Sequence, residues 1–168
     1  TDLQKDGGGI ASIHTVLNGP LSSILRYIAR DPISMGDKLK AKPEDVKGSG
    51  TYDINVSFPT IHDVPKEAFD VDVTAHLQDI SIPNVTKDQP LSGGPFTLSV
   101  SDGKIGMKGQ GKISDSPITL DWSQPLTPKK GEPHMTLQAQ IASTPNTRKA
   151  FGADLPYLSG TVPLDLTY

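Results

Sequence analysis

The sequence predicts a mainly β protein, built as a mostly antiparallel sheet with one apolar face and two or three short helices. From Tyr52 onward apolar and polar residues alternate, which is the period of a strand with one apolar face and one solvent-facing polar face. Glycine and proline, 16 and 15 of them, punctuate these runs with short turns. Helical spacing is too rare to cover every strand. Either the sheet folds onto itself as a sandwich, or part of its apolar face stays open.

Composition narrows the class of protein further. The 168 residues suffice for one domain with a substantial core, and only 5% are aromatic, so apolar surface must come from aliphatic side chains. A net charge of -3 with scattered Lys and Arg lacks the basic footprint of a nucleic-acid binder. Without cysteine there is no disulfide framework. No apolar run approaches the roughly 20 residues that span a bilayer, and TDLQKDGGG does not resemble a signal peptide.

The first part of the chain carries most of the predicted helices. Ile10–Asn18 is interpreted as a strand with imperfect alternation. Apolar residues then recur at i, i+3, i+4 and i+7, which predicts a helix between Pro20 and Pro32. A second short helix is expected at 34–40 and one helical turn at 43–48. Near the other end, residues 144–152 predict a short helix, with Thr144 as its N-cap.

Alternating strands are expected at 52–58, 69–77, 96–101, 104–111, 117–122, 134–142 and 162–166, with an Asp-Gly hairpin turn between the third and fourth. Their apolar sides should form one continuous face, while Asp70, Asp72, Thr74 and His76 face water. The candidate lining residues of an apolar groove on that face are Tyr52, Ile54, Val56, Phe69, Val71, Val73, Leu77, Phe96, Leu98, Val100, Leu120, Trp122, Leu137 and Ile141.

Two similar stretches indicate an internal repeat. SGTYDINV begins at Ser49 and SGTVPLDL begins at Ser159; each follows a helical stretch and opens an alternating strand in the same phase. We interpret residues 1–168 as a single segment of a longer repetitive β protein, whose next repeat begins near residue 159. Pro163 places the last strand at a sheet edge, and residues 1–9 are expected to be flexible.

Motifs that would carry catalysis are lacking. GMKGQGKI nearly spells a phosphate-binding loop, but Ile113 stands where Ser or Thr is needed and a strand follows instead of a helix. Its glycines are better explained by bulges or close backbone approach. We therefore predict no enzyme, no catalytic residues, no metal and no cofactor. The four histidines lack metal-binding spacing and are expected in solvent or turns: His14, His62, His76 and His134.

Three stretches of the chain carry a family resemblance: GPLSSILRYIARDPISMGDKLKAKPEDVKGSGTYDINVSFP, GKISDSPITLDW and NTRKAFGADLPYLSG. Together they resemble an internal segment of the AsmA-like family of large Gram-negative envelope proteins, the group of the YhdP and TamB type. The resemblance covers nearly the whole chain from Ile10. It implies a curved, taco- or half-pipe-like β-groove in the periplasm, within a protein that an anchor elsewhere holds in the inner membrane.

That resemblance implies a function in moving phospholipid between the inner and outer membranes. The expected partners are phospholipid acyl chains and neighbouring repeats of the same chain, with no nucleic acid, and membrane contact only through parts outside this segment. An alternative is a structural β-module, a spacer or interaction domain whose apolar faces pack against each other and bind no ligand. A carrier with a closed cavity is a third possibility, although it would not explain the repeat.

Overall fold

A computed structural model describes residues 9–28, 42–65, 68–86, 89–127, 131 and 134–168. The helix expected at 34–40 lies outside these residues. Of residues 1–9, which were expected to be flexible, only Gly9 is described. The elements are β1 (Ile10–Pro20), α1 (Leu21–Ile28), a 3-10 turn (Pro43–Asp45), β2 (Lys47–Pro59), β3 (Asp70–Thr86), β4 (Gln89–Gly93), β5 (Phe96–Ser101), β6 (Lys104–Ile113), β7 (Ser116–Pro125), β8 (Thr136–Ser143), α2 (Pro145–Ala150) and β9 (Val162–Thr167).

All nine of these strands belong to one curved antiparallel sheet, which confirms the predicted mainly β fold. Most strands neighbour the next strand along the chain. The exception lies between β3 and β6, where β5 pairs with one half of β3 and β4 with the other. β1 and β9 form the two edges and do not pair with each other within the described residues, so the sheet stays open.

The pairing register gives this sheet an apolar face and a polar face. Residues paired across antiparallel strands point to the same side, so one transverse row can be followed from strand to strand. The row that contains Tyr52 continues through Ala75, Leu98, Met107 and Trp122 to Leu137. The next residues along each strand form the polar face, for example Thr51, His76, Thr97 and Lys108.

Both helices lie at the same end of the sheet. α1 follows directly on β1 and contacts β1, β2 and the 3-10 turn, while α2 follows β8 and contacts that strand. We call this the helical end, and the end that carries the Ser101–Lys104 hairpin the open end. Leu21 of α1 is buried, and Ile24 and Leu25 pack against the core. The helices therefore cover the apolar face at one end.

The core follows from this arrangement. Its buried side chains come mainly from the apolar face near the helical end, and together they form one cluster: Leu21, Val46, Tyr52, Ala75, Leu77, Ile80, Leu91, Phe96, Ile113, Ile118, Ala139 and Ile141. Burial of aliphatic and aromatic surface here supplies the main stabilisation of the fold. The cluster does not extend to the open end.

Several element boundaries differ from the sequence predictions. β3 runs on to Thr86 and β4 was not predicted at all. At Asp79 the backbone adopts φ 50°, and the register shifts again beyond Ile82, so the alternation that marks a strand is broken. The helical turn predicted at 43–48 is limited to Pro43–Asp45, since β2 begins at Lys47. The Asp102-Gly103 turn is confirmed, with positive φ at both residues, as a two-residue hairpin requires.

The first SGT stretch lies within β2 and the second directly precedes β9, and these two strands occupy matching positions. β1, α1 and β2 form an antiparallel pair with a helix at the helical end, and β8, α2 and β9 repeat this arrangement. Tyr52 and Val162, which follow the two SGT stretches, both lie on the apolar face. The geometry is that of two similar units; membership of a longer array stays a prediction.

Candidate functional site: the uncovered apolar surface

The register places all the candidate lining residues on the apolar face. Phe69 precedes β3, and its ring lies 5.2 Å from that of Phe58 on the same side. Four of the fourteen candidates are buried in the core and cannot contact a ligand in this structure: Tyr52, Leu77, Phe96 and Ile141. The other ten keep accessible surface, but four of these are partly buried against the core: Ile54, Leu98, Leu120 and Leu137.

Toward the open end, the apolar face is not covered by any described element. Val71 is 40% exposed and Phe69 is 42% exposed. Their neighbours on the face are only half-buried and lie outside the core cluster. We call this set the open surface, which comprises Val56, Phe58, Phe69, Val71, Val73, Val100, Ile105 and Trp122. Contiguous exposed apolar patches can serve as binding or interaction surfaces, which makes the open surface the candidate site.

The open surface is continuous because its strands are in register. Val56 lies opposite Val71, and Val73 lies opposite Val100, which in turn lies opposite Ile105. Facing side chains on paired strands have Cβ atoms about 4.5–5.5 Å apart, so no gap separates one strand's contribution from the next. β-branched residues suit this pleated surface. The surface thus runs across β2, β3, β5 and β6 and reaches Trp122 on β7.

Two glycines on β6 allow Phe96 to pack closely against the sheet at the border between the open surface and the core. A Cβ at Gly111 would lie 2.7 Å from Cζ of Phe96 and 2.5 Å from the carbonyl oxygen of Ser92. A Cβ at Gly109 would likewise clash with Pro95 and Phe96. The ring of Phe96 therefore packs directly against the backbone of β6 at these two glycines. This explains the GMKGQGK glycines as a site of close packing, in line with the prediction of close backbone approach.

At the helical end, a polar cluster fixes α2 on the sheet. The hydroxyls of Thr147 and Thr144 both donate to the Asp115 carboxylate. These bonds, the one from Thr147 most of all, hold the pKa of that carboxyl below its usual value. Thr144 also caps the helix by accepting from the Thr147 amide at 3.2 Å, as predicted. Buried Ser116 donates to Thr147 at 2.8 Å.

Arg148 adds a second tie at this end. Its side chain is buried, and its guanidinium donates to the carbonyl oxygens of Ser143 at 2.8 Å, Gly160 at 3.1 Å and Leu158 at 2.7 Å. These bonds link α2 to β8 and to the segment that leads into β9. The three carbonyl acceptors compensate the burial of this cation, so its role is explained by the structure of the fold.

The polar face carries ordinary surface chemistry. Asp70, Asp72, Thr74 and His76 are all exposed there, where alternation placed them. The ion pair of Lys108 with Asp121 spans 2.9 Å between exposed side chains, and such pairs contribute little to stability. Among the described residues, no group of three or more His, Asp or Glu side chains is arranged to hold a metal ion.

Two shallow depressions also lie on the polar face. One of about 460 Å³ is bordered by Gln110, Thr119 and Gln140, and the other, of about 330 Å³, by Ser99 and Lys108. The first is also lined by Pro117, Ala142 and Pro163, and neither contains a convergent set of buried polar groups. A specific small-molecule site would need such a set within an apolar cleft. These depressions are therefore weaker candidates for a site than the open surface.

Some accessible residues of the apolar face were missing from the candidate lining. Phe58 and Ile105 belong to the open surface, and Ile13 extends it onto β1. Leu164 and Leu166, 40% and 44% exposed, extend the apolar face onto β9. The alternation of β2, β6 and β9 already carried the signal for most of them. Ile13 was obscured because β1 also has apolar residues on its polar face.

In the described part of the chain, no helix is long and apolar enough to cross a membrane. Comparison with protein families, with curated proteins and with solved structures finds no match for this chain.

Proposed function

We propose that the open surface binds the acyl chains of phospholipids. The observation that carries this proposal is that one half of a continuous apolar sheet face is covered by helices and core, while no element of the described residues covers the other half. The larger proposal is that the chain is a periplasmic segment of an AsmA-like bridge that carries phospholipid between membranes. That part rests on the sequence resemblance.

The chemistry of the open surface suits an acyl chain. An acyl chain is a non-directional apolar ligand, and each buried methylene contributes about 0.8 kcal/mol. It needs a continuous aliphatic surface and no precisely placed polar anchor. Val73, Val100 and Ile105 offer side chains of that type on three neighbouring strands of the sheet, β3, β5 and β6. No charged side chain interrupts this row on the apolar face.

The structural-module alternative predicts a different environment for the residues of the open surface. In that case the open surface would be covered by another part of a longer chain and would take no lipid. The buried core near the helical end serves either function equally, so only the open surface distinguishes them.

The first test is native mass spectrometry of the purified chain, followed by organic extraction and lipid analysis. We expect phospholipid to co-purify and to be released by the organic solvent. A lipid-free protein that also fails to take up phospholipid from vesicles would contradict lipid binding and favour the structural module.

A matched pair of variants locates the bound lipid. Val100→Asp places a carboxylate on the open surface, while Ser99→Asp places one on the polar face of the same strand. We expect Val100→Asp to lose most of the co-purified phospholipid and Ser99→Asp to retain it, with circular dichroism verifying that both are folded. Equal lipid content in the two variants would rule out this face as the binding site.

A further inference from the structure

One transverse row of the apolar face is aliphatic in the middle and polar at both ends. The pairing register links its six members from β1 to β7: Thr15, Ile54, Val73, Val100, Ile105 and Gln124. We call the four inner residues the aliphatic row; all but Ile54 belong to the open surface. Thr15 lies at one end of this row and is exposed, while Gln124 lies at the other end and is half-buried. A ligand that fills the aliphatic row therefore reaches a polar side chain at each end.

These two end residues differ from the polar side chains in the covered part of the same face. The hydroxyls of Tyr52, Ser116 and Ser143 donate to oxygen atoms of the protein at 3.4, 2.8 and 2.7 Å. The side chains of Thr15 and Gln124 form no hydrogen bond with any described residue. Thr15 can bond to water because it is exposed. Gln124 has two amide donors and a carbonyl acceptor, and its surroundings decide what can bind them.

Gln124 has apolar neighbours on its face of the sheet. Ile105 lies opposite it on β6, and Trp122 precedes it on the same side of β7. A ligand that covers these two side chains also removes water from the amide beside them. An amide that loses water without gaining a partner costs free energy. A purely apolar ligand is therefore disfavoured at Gln124, whereas a ligand that places a hydrogen-bond acceptor there is favoured.

The aliphatic row has the direction that an acyl chain needs. Along β2 the open surface comprises only Val56 and Phe58, since Tyr52 is already buried in the core. Across the sheet, neighbouring strands lie about 4.8 Å apart, so the four steps from Ile54 to Gln124 span about 19 Å. An extended acyl chain fits along this direction. Because Gln124 supplies a donor and Ile54 does not, the polar end of such a chain belongs at Gln124 and its methyl end at Ile54.

We propose that Gln124 donates a hydrogen bond to the acyl ester carbonyl of a bound phospholipid, whose acyl chain lies along the aliphatic row toward β2. This inference rests on the proposed binding of phospholipid to the open surface and adds how the lipid is oriented there. The acyl chain itself needs no polar partner, but the ester at its end carries a carbonyl oxygen that accepts from an amide N–H. An ether-linked phospholipid lacks that carbonyl and would leave the amide unpaired. Gln124 is thereby a specificity-determining residue that favours ester-linked lipids.

Competition between ester- and ether-linked lipids tests this role of Gln124. The chain is incubated with vesicles of equal parts dioleoyl phosphatidylcholine and its dioleyl ether analogue, and mass spectrometry measures the two lipids that the protein takes up. We expect the unmodified chain to prefer the ester about three- to tenfold, the range for one neutral hydrogen bond. Gln124→Leu should take up both lipids equally, because it has no amide to pair. Thr15→Val, at the other end of the row, should keep the preference, and circular dichroism verifies the folding of both variants.

The outcomes separate this inference from lipid binding itself. Equal uptake of the two lipids by the unmodified chain would overturn the contact with the ester and leave lipid binding intact; it is the result expected if the amide met a phosphate oxygen, which both lipids carry. A preference that survives in Gln124→Leu would also overturn the contact. Uptake of neither lipid would overturn this inference together with the proposed function.

The orientation of the lipid can also be measured without changing Gln124. Trp122 lies beside Gln124 on the apolar face, so it should contact the part of the acyl chain nearest the ester. Bromine on an acyl chain quenches tryptophan only at contact. We expect phosphatidylcholine brominated near the ester end of its chains to quench Trp122 more strongly than phosphatidylcholine brominated near the methyl end. Equal quenching by the two lipids, or stronger quenching from the methyl end, would refute an ester held at Gln124.

Discussion

At the scale of single residues, the packing of Phe96 on Gly109 and Gly111 depends on the absence of a side chain at both glycines. The side chain of Phe96 is buried and lies directly on the β6 backbone. Space for it exists only because these two positions have no Cβ. The glycines of GMKGQGKI, which nearly match a phosphate-binding loop, thus serve close packing in this fold.

Gly111→Ala should destabilise the fold. Its Cβ would lie 2.5 Å from the Ser92 carbonyl oxygen, and that backbone atom cannot move aside easily. We expect a loss of roughly 1–3 kcal/mol in the free energy of unfolding, as for other overpacked cores. Urea unfolding measures it. Gly19→Ala is the control, because nothing lies within 4 Å of its added Cβ; an equal loss there would refute the packing argument.

Asp115 makes stability depend on acidity. Hydrogen bonds from Thr147 and Thr144 hold its pKa below that of the unfolded chain. The stabilisation is therefore fully present above the unfolded value, about 3.9, and is lost as the pH falls through the lowered folded value. Melting temperatures across the acid range should fall less steeply for Asp115→Asn than for the unmodified chain. Parallel curves would exclude this contribution.

At the scale of elements, α2 and its flanking segments depend on polar contacts more than on apolar burial. The helix has six residues and buries Thr147 and Arg148, which bond to β7, to β8 and to the segment before β9. So short a helix would not be stable by itself. Its position over the sheet is therefore set by these side chains.

Arg148→Met tests that dependence. Methionine fills similar space but leaves the carbonyls of Ser143, Leu158 and Gly160 without their donor. We expect a loss of roughly 1–3 kcal/mol in the free energy of unfolding, with faster amide exchange in residues 155–162. Lys149→Met, on the exposed side of the same helix, should have little effect. Similar losses for both variants would indicate that the carbonyl contacts do not matter.

How much the sequence could predict differs between these elements. Strict alternation predicted which side of β3 faces water, because a period of two leaves only two faces. The extra length of β3 and the existence of β4 were missed, since Asp79 breaks the alternation and Gln89–Gly93 is too short to show a period. The burial of Arg148 and Ser116 was also missed, because polar residues carry no burial signal until their partners are known.

At the scale of the whole molecule, the important feature is the gradient of burial along one face. Alternation placed the candidate lining on that face, yet it could not tell buried from accessible members. That division depends on both helices lying at the same end, which is a property of the folded sheet. Tyr52 and Val56 lie four residues apart on β2 and point to the same face. Tyr52 nevertheless lies in the core, whereas Val56 belongs to the open surface.

The most direct measurement of the central proposal uses the single tryptophan. Trp122 lies on the apolar face, half-buried, opposite Met107 and Leu137. Phospholipids that carry bromine on their acyl chains quench tryptophan only at contact. If acyl chains occupy the open surface, brominated phospholipid should quench Trp122 while the same lipid without bromine does not. Lipid that binds the chain and leaves Trp122 unquenched would contradict the account.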